Sequence, residues 1–278
     1  MQRREDMKIE KAKIIDNRMI AEGLFLMIVE SPKIADLAKV GQFAMLQINE
    51  GIDPYLKRPL CFYNISKHNG QVEFVYKIVG KGTRILAEKK AGEIISLIGP
   101  LGVGWTLLED AKQIAVVGRG IGAAPVICVA QEAHDRGVKV KAFLSAKTPE
   151  LIIGREQLAN LGCKMYLQSD EGEYSKGYSN VTNYLKDVLK EEKIDQIFVC
   201  GSRRLGKEVL ELSKQYGIQS QISLEERMAC GIGACVGCVT DIITDRGKGK
   251  KEQKRVCKEG PVFWVEEVAD LYDYKLKG

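Results

Sequence analysis

The sequence predicts a chain in three parts: an N-terminal β-barrel, an open parallel α/β unit and a small C-terminal module built round four cysteines. Three observations predict it. From Lys8 to Trp105, short apolar or alternating runs are separated by turn residues, the pattern of a barrel or sandwich. From Gln113, β-branched strands alternate with helical stretches, as in parallel sheets with crossover helices. Near the end stand Cys230, Cys235 and Cys238 in one glycine-rich loop, with Cys257 further on. The divisions fall at 1–106, 107–220 and 221–278, and 278 residues allow two domains and a small module.

In the first part the expected strands are Lys11–Asp16, Leu24–Glu30, Phe43–Ile48, Gln71–Val79 and Ile94–Ile98, with one helix over Thr83–Lys90. Turn signals lie between them at Ser31-Pro32, Gly51, Asn69-Gly70 and Ala91-Gly92. Arg58-Pro59-Leu60-Cys61 places a cation before a proline, and proline suits only a strand start or an edge. Val75-Tyr76-Lys77 leads into Gly80-Lys81-Gly82-Thr83, where a strand ends in glycines and a helix begins. Such a helix start offers unpaired amides and a positive dipole end to a phosphate, with Thr83 as N-cap or as a phosphate contact. A barrel corner with a capped helix explains the same residues.

The second part opens with the strand Ile114–Val117 and the turn Gly118-Arg119-Gly120-Ile121-Gly122. A helix to about Arg136 and a strand over Lys139–Ser145 complete a βαβ unit of the dinucleotide-binding kind. Gly118, Gly120 and Ala123 satisfy the glycine pattern. Ser145-Ala146-Lys147 stands where an acid for the ribose is expected, so a standard Rossmann mode of NAD binding is not supported. Further α/β units follow: strand Lys164–Gln168, helix Val181–Glu192, strand Gln196–Cys200 and helix Arg204–Tyr216. Cys200-Gly201-Ser202 ends a strand at the edge where ligands bind in open parallel sheets. The only linkers expected are Gly99–Gly104 and the turn near Gly217.

The third part carries C-x4-C-x2-C-x18-C, the plant-type ligand spacing of a [2Fe–2S] cluster. Gly231, Gly233 and Gly237 let the loop curl round the group, because glycine adopts positive φ without a clash. The amides from Gly231 to Val236 are then available to the sulfurs. A zinc site is the alternative, but zinc loops carry a paired C-x2–4-C at both ends, and Cys257 is alone. A hairpin is expected from Val239–Thr244 and Arg255–Cys257, turning at Gly247 and Gly249. A module this small needs ligation to support its folding.

Composition narrows the function. Hydrophobic residues make up 45% and charged residues 28%, with net charge +5, as in ordinary globular proteins. The basic run from Lys248 to Arg255 is a nucleic-acid signal in isolation; between two cluster ligands it reads as a solvated hairpin tip. Cys61, Cys128, Cys163 and Cys200 lie in apolar settings and form no disulfide framework, which fits a reducing cytosol. No apolar run reaches the ~18 residues of a membrane span, and the charged N-terminus lacks the apolar stretch of a signal peptide. His68 and His134 are the only histidines, which leaves little room for a histidine-based triad or metal site.

Taken together, the barrel, the Arg-Pro motif, the glycine-rich helix start and the α/β unit resemble the ferredoxin reductase superfamily. Ala229-Cys230-Gly-Ile-Gly-Ala-Cys235 and Val256-Cys257-Lys-Glu-Gly-Pro-Val-Phe263 narrow the resemblance to electron-transfer subunits of NAD-dependent dihydroorotate dehydrogenase. It covers nearly the whole chain. It implies FAD on the barrel, at Arg58, Pro59, Leu60 and Cys61, at Val75, Tyr76 and Lys77, and at Gly82 and Thr83. It implies a pyridine nucleotide at Gly118, Gly120, Gly122, Cys200 and Gly201, and iron ligation by Cys230, Cys235, Cys238 and Cys257. Three positions depart from the family pattern: Cys61 for serine, Arg119 for glycine and Ser202 for proline.

The resemblance also implies a relay in the cytoplasm, serving pyrimidine biosynthesis. A partner subunit with FMN oxidises dihydroorotate, and electrons pass through the [2Fe–2S] cluster and FAD to NAD+. The assembly implied is a heterotetramer with two copies of each subunit, and no residue of this chain serves as a base toward dihydroorotate. The same architecture occurs in flavin and iron–sulfur subunits of a hydrogenase, a sulfide dehydrogenase or a bifurcating NADH/NADPH transhydrogenase. A zinc-knuckle module binding nucleic acid is the reading from another class. The partner that copurifies separates the first two, and the visible spectrum excludes or supports the third.

Overall fold

The computed structural model describes residues 7–245 and 249–274. The charged N-terminal residues 1–6, and Gly247 and Lys248 of the expected hairpin tip, lie outside the described residues.

Seven antiparallel strands form the first layer: β1 (Lys8–Ala21), β2 (Leu24–Glu30), β3 (Phe43–Leu46), β4 (Arg58–Cys61), β5 (Asn64–Ser66), β6 (Gln71–Lys77) and β7 (Ile94–Leu101). Their order is β4-β3-β7-β1-β2-β6-β5, so the two edge strands are neighbours in sequence. Phe62 and Tyr63 join them, with the Phe62 amide donating to Gln42 O at 3.1 Å and the Tyr63 amide to Glu73 O at 2.8 Å. The sheet thus curls into a barrel closed at that corner by the chain itself. Its core is a set of fully buried apolar side chains, among them Ile14, Met27, Phe62, Phe74 and Leu97.

Strand β1 is longer than the expected Lys11–Asp16. Its first half pairs with β7 and its second with β2, and register shifts at Ile14/Asp16 and Met19/Ala21 break the alternation on which the sequence reading relied. Strand β7 likewise runs on to Leu101, so the expected linker at Gly99 begins inside a strand. Two short helices, α1 (Pro32–Leu37) and α2 (Lys81–Glu88), lie on the barrel. Helix α2 starts two residues before the expected Thr83. Thr83 is therefore not its N-cap but its third helical residue, and its hydroxyl accepts from the amides of Val79 at 2.9 Å and Gly80 at 3.2 Å.

The second layer is a six-stranded sheet in the order β10-β9-β8-β11-β12-β15. It comprises β8 (Gln113–Arg119), β9 (Lys139–Ala146), β10 (Lys164–Ser169), β11 (Gln196–Cys200), β12 (Gln219–Ser223) and β15 (Val262–Trp264). The first five are parallel, and β15 returns antiparallel along β12. Helices α3 (Ala123–Asp135), α4 (Arg155–Asn160), α5 (Val181–Glu191) and α6 (Arg203–Tyr216) cover the faces. Ile114 to Val117 are fully buried, as expected of a strand with both faces covered. Helix α6 stops at Gly217, whose φ of +67° makes the left-handed cap that glycine adopts most easily.

The cysteine module is stitched to both layers. Its hairpin pairs β13 (Val239–Asp245) with β14 (Lys250–Arg255), and a short helix α7 (Ala269–Asp273) follows β15. The second hairpin strand therefore ends at Arg255 rather than reaching Cys257. Cys257 leaves the ladder because its amide donates to Cys238 Sγ at 3.4 Å and its sulfur accepts from Gly233 N at 3.1 Å. Strand β14 carries no apolar residue, so no alternation marked it. Its lysines are ion-paired: Lys250 and Lys254 with Glu252, and Lys251 with Asp273.

Trp105 pins the barrel's exit to the second layer. Its indole donates to Pro125 O at 2.9 Å and its ring meets Phe198 edge-on at 5.4 Å. Trp105→Ala is expected to cost about 3–5 kcal/mol of stability, in the range for buried aromatic truncations. Urea unfolding checks it, and a loss below about 1 kcal/mol would mean that Trp105 is peripheral.

Candidate functional site

A cavity of about 310 Å³ lies between the barrel and the second layer. That volume falls at the lower end of small-molecule sites. Its barrel wall contains Arg58, Pro59, Leu60, Cys61, Val75, Tyr76, Lys77 and Thr83, which are eight of the nine barrel positions singled out in the sequence. The ninth, Gly82, sits just behind: a Cβ there would lie 2.5 Å from Arg58 Nη2. Only glycine lets the guanidinium rest on the first turn of α2. Arg58 is further held by donating from Nη1 to Leu56 O at 2.6 Å. A cation over a helix start makes an anion cradle, since the amides and the dipole add to its charge.

The opposite wall was not legible in the sequence. Ile121, Ala124 and Pro125 at the start of α3 contribute, as do Leu224, Glu225, Glu226 and Met228 after β12, and Pro261. Leu224 to Met228 run directly into Cys230, so one segment borders the cavity and carries the first thiol. Burial, with Glu225 adding to it, pushes the Cys61 thiol up to about 12. It therefore stays a neutral group at the cavity wall. The Glu225 carboxyl is also raised, by desolvation.

Gly118, Gly120, Gly122, Cys200 and Gly201 do not line this cavity. Gly118, Gly122, Cys200 and Gly201 meet where β8 and β11 end side by side, while Gly120, at φ +55°, opens the turn between β8 and α3. A Cβ on Gly122 would come 2.9 Å from the Gly201 Cα, and one on Gly118 would come 2.7 Å from the Ala123 Cα. A second cavity of about 150 Å³ lies at the same carboxyl edge, with Arg119, Ser145, Asp170 and Ser202 in its wall. No acid stands at the end of β9; one strand further out, Asp170, just past β10, accepts from Arg119 Nη2 at 2.7 Å. Ser202 caps α6, its hydroxyl accepting from Leu205 N at 3.3 Å.

The four cysteines converge in two pairs. Cys235 N donates to Cys230 Sγ at 3.4 Å, and Cys257 N donates to Cys238 Sγ at 3.4 Å. Gly233 N, on Cys257 Sγ at 3.1 Å, ties one pair to the other. Among the described residues, no three His, Cys, Asp or Glu side chains converge on a single ion; the thiols converge in twos, the division that a two-iron centre takes. Burial opposes ionisation of Cys230, but the amides of Cys235, Ile232 and Ala234 and the Cys235 thiol outweigh it and lower its thiol to about 6. Burial, reinforced by Cys238, pushes Cys257 up to about 12.

Gly231 and Gly233 have φ of +70° and +80°, as the loop requires. Gly237 does not lie in the left-handed region; Val236 does, at +57°, the only non-glycine residue to do so among those described. A Cβ on Gly237 would stand 3.5 Å from Cys235 Sγ, so glycine there leaves room beside a ligand sulfur. Arg255 braces the loop by donating to Gly233 O at 2.9 Å while bonded to Glu259.

The barrel, the crossover point and the thiol loop together define a ferredoxin reductase-like fold with an appended iron–sulfur module. A ferredoxin NADP+ reductase from Neisseria gonorrhoeae, solved with bound FAD and NADP, shares this fold over 76% of this chain and 92% of its own (TM-score 0.63, 20% identity). An NADH-dependent reduced ferredoxin-NADP oxidoreductase, solved in work on flavin-based electron bifurcation, matches 95% of this chain and 92% of its own, with TM-score 0.81 and 26% identity. Residues 225–269 match the family model for the iron-sulfur cluster binding domain of dihydroorotate dehydrogenase B. The electron transfer subunit of dihydroorotate dehydrogenase B (NAD(+)) from Desulforamulus reducens is 34% identical over 257 residues, 92% of this chain and 96% of that protein. This chain belongs to the family of dihydroorotate dehydrogenase B electron transfer subunits.

In protein stripped of metal by a chelator, Cys230 is expected to react with iodoacetamide with a midpoint near pH 6, since a lowered pKa populates the thiolate from that pH upward. Cys61 should stay unreactive until strongly alkaline pH. Alkylation read by mass spectrometry checks this, and a Cys230 midpoint at about 8.5, the ordinary thiol value, contradicts it.

Proposed function

We propose that this oxidoreductase subunit carries FAD in the cavity between the barrel and the second layer and a [2Fe–2S] cluster on Cys230, Cys235, Cys238 and Cys257, and passes electrons from dihydroorotate to NAD+. The observation that carries this reading is the segment from Leu224 to Cys230, which borders the cavity and enters the thiol loop without interruption. Met228 on the cavity wall stands two residues before Cys230, a span of at most about 7 Å, which supports electron exchange between groups held at the two sites.

The residues fit both groups. Leu60, Val75, Pro125 and Leu224 give the cavity apolar walls for a flat ring. Arg58, with the α2 start, suits a pyrophosphate and the negative charge of a reduced flavin. Four thiols in two pairs, with backbone amides on their sulfurs, suit two bridged irons. When bound, the cluster supplies single-electron transfer and the flavin couples it to hydride transfer onto NAD+. The chain positions these groups and excludes water; oxidation of dihydroorotate belongs to an FMN-containing partner, two copies of each subunit forming the complex.

Gly118, Gly120, Gly122, Cys200 and Gly201 border the pyridine nucleotide in this reading. Arg119 is engaged by Asp170, which favours NAD over NADP, whose 2′-phosphate is usually met by an arginine. The units are 1–106 for FAD, 107–220 for NAD and 221–278 for the cluster, with β12 crossing the last boundary. Among the described residues no helix is long and apolar enough to cross a membrane. The match to the bifurcating oxidoreductase keeps a second reading in view: the same chain serving a bifurcating NADH/NADPH transhydrogenase.

Copurification from native cells separates these readings. A partner with FMN and dihydroorotate-dependent NAD+ reduction is expected; a ferredoxin-linked partner without that activity favours the second. Arg58→Ala is expected to lower flavin content or slow flavin reduction, and no change in either contradicts its place at FAD. The cluster loop also presents Ile232 and Val236 to solvent, 44% and 56% exposed, where apolar side chains mark an interface. Ile232→Glu should release the partner while the isolated chain keeps flavin and iron. Stoichiometric copurification of that variant would exclude docking at Ile232.

A further inference from the structure

Strand β3 faces two ways. Ala44 and Leu46 point into the barrel core, while Phe43 and Met45 join the core that contains Cys238, Val256 and Cys257, as the two-residue period of a strand requires. Met45 is completely buried. On one side it stands opposite Pro59 of β4, a residue of the cavity wall. On the other it meets the thiol loop, where a Cβ on Gly231 would lie 2.5 Å from Met45 Cγ and 2.6 Å from its sulfur. The backbone between Cys230 and Ile232 therefore rests directly on the Met45 thioether, with no room for a methyl group.

We propose that Met45 is the positioning residue that seats the cluster loop against the flavin-binding strand and so sets the rate of electron exchange between the two groups. The inference rests on the function proposed above. Electron tunnelling weakens steeply as the gap between centres widens and as atoms in the gap are replaced by empty space. Met45 lies between β4, whose Pro59 borders the cavity, and Gly231 of the thiol loop. An unbranched, polarizable thioether conforms to the irregular surface of a loop backbone better than a branched side chain does. Packed interiors transmit such contacts because they cannot be compressed. Positive φ alone explains a glycine at 231; it does not explain a buried sulfur pressed against it.

A double-mutant cycle on the native complex tests this. Met45→Ala is expected to slow cluster reduction by NADH about 10-fold or more, as loss of a supporting residue does at metal sites. NADH oxidation with an artificial acceptor should be unchanged. Pulsed EPR of half-reduced protein should show weaker magnetic coupling between the centres. Gly231→Ala should disturb the loop through both its strained φ and its collision with Met45. Adding Met45→Ala to Gly231→Ala opens the space for that methyl and should restore part of the iron content and coupling. Strictly additive losses in the cycle, or unchanged coupling and inter-centre rate in Met45→Ala, overturn the proposal. If Met45→Ala sheds its cluster, iron content across the four proteins still decides between rescue and additivity. Wild-type complex lacking flavin or iron would instead overturn the proposed function itself.

Discussion

Everything in this molecule is arranged round the requirement that one short segment serve two sites. Strand β12 ends at Ser223, the next residues wall the cavity between barrel and second layer, and Cys230 follows at once. No linker intervenes in which one site could shift relative to the other. The module therefore cannot be an independent bead on the chain. Strand β15 extends the parallel sheet, the Val103 amide donates to Gly260 O at 2.6 Å, and Gln221 accepts from the Thr106 amide at 2.9 Å. A loop with little core of its own borrows rigidity from both larger layers, as a site needing fixed geometry must.

Charge and hydrogen bonding are distributed to match. The cavity beside the barrel has its cation at the α2 end, where an anion cradle forms, and a neutral thiol, Cys61, on the same wall. In the thiol loop the backbone itself supplies the donors. Two of the four sulfurs sit at opposite extremes: Cys230 is stabilised as a thiolate by amides, while Cys257 is buried and resists ionisation in the absence of iron. Ligation by metal removes that resistance, so binding and the final closure of the module are coupled. The strain of Val236 at positive φ lies on the exposed rim of this loop. Such strain in a β-branched residue persists only where the surroundings enforce it.

Much of this was legible in the residues. The cysteine spacing and its glycines marked the loop, the change of period near Gln113 marked the second layer, and Arg58 and Val75 marked the barrel wall. What escaped was contributed by contacts between distant segments. Leu224 to Met228 carry no motif, and their role follows only from β12 lying beside β11. The Arg119–Asp170 ion pair joins the ends of β8 and β10, which no pattern read along the chain brings together. Strand β14 is wholly polar because its partner, not its own apolar content, holds it. Thr83 was misplaced because a helix start at glycine gives no clear cap, and Gly237 because glycine also serves close approach. Met45 read as one more apolar residue of a strand until its outward face met Gly231.

The central claim is that one chain holds a flavin and a two-iron cluster in electronic contact. Anaerobic titration of the as-isolated protein with NADH, followed by visible absorption and EPR together, tests it most directly. The account predicts about two irons per flavin, bleaching of the flavin bands, and a reduced-cluster EPR signal that grows in the same titration. A colourless zinc protein, or a flavin that is reduced while the cluster stays oxidised however long NADH is present, would contradict it.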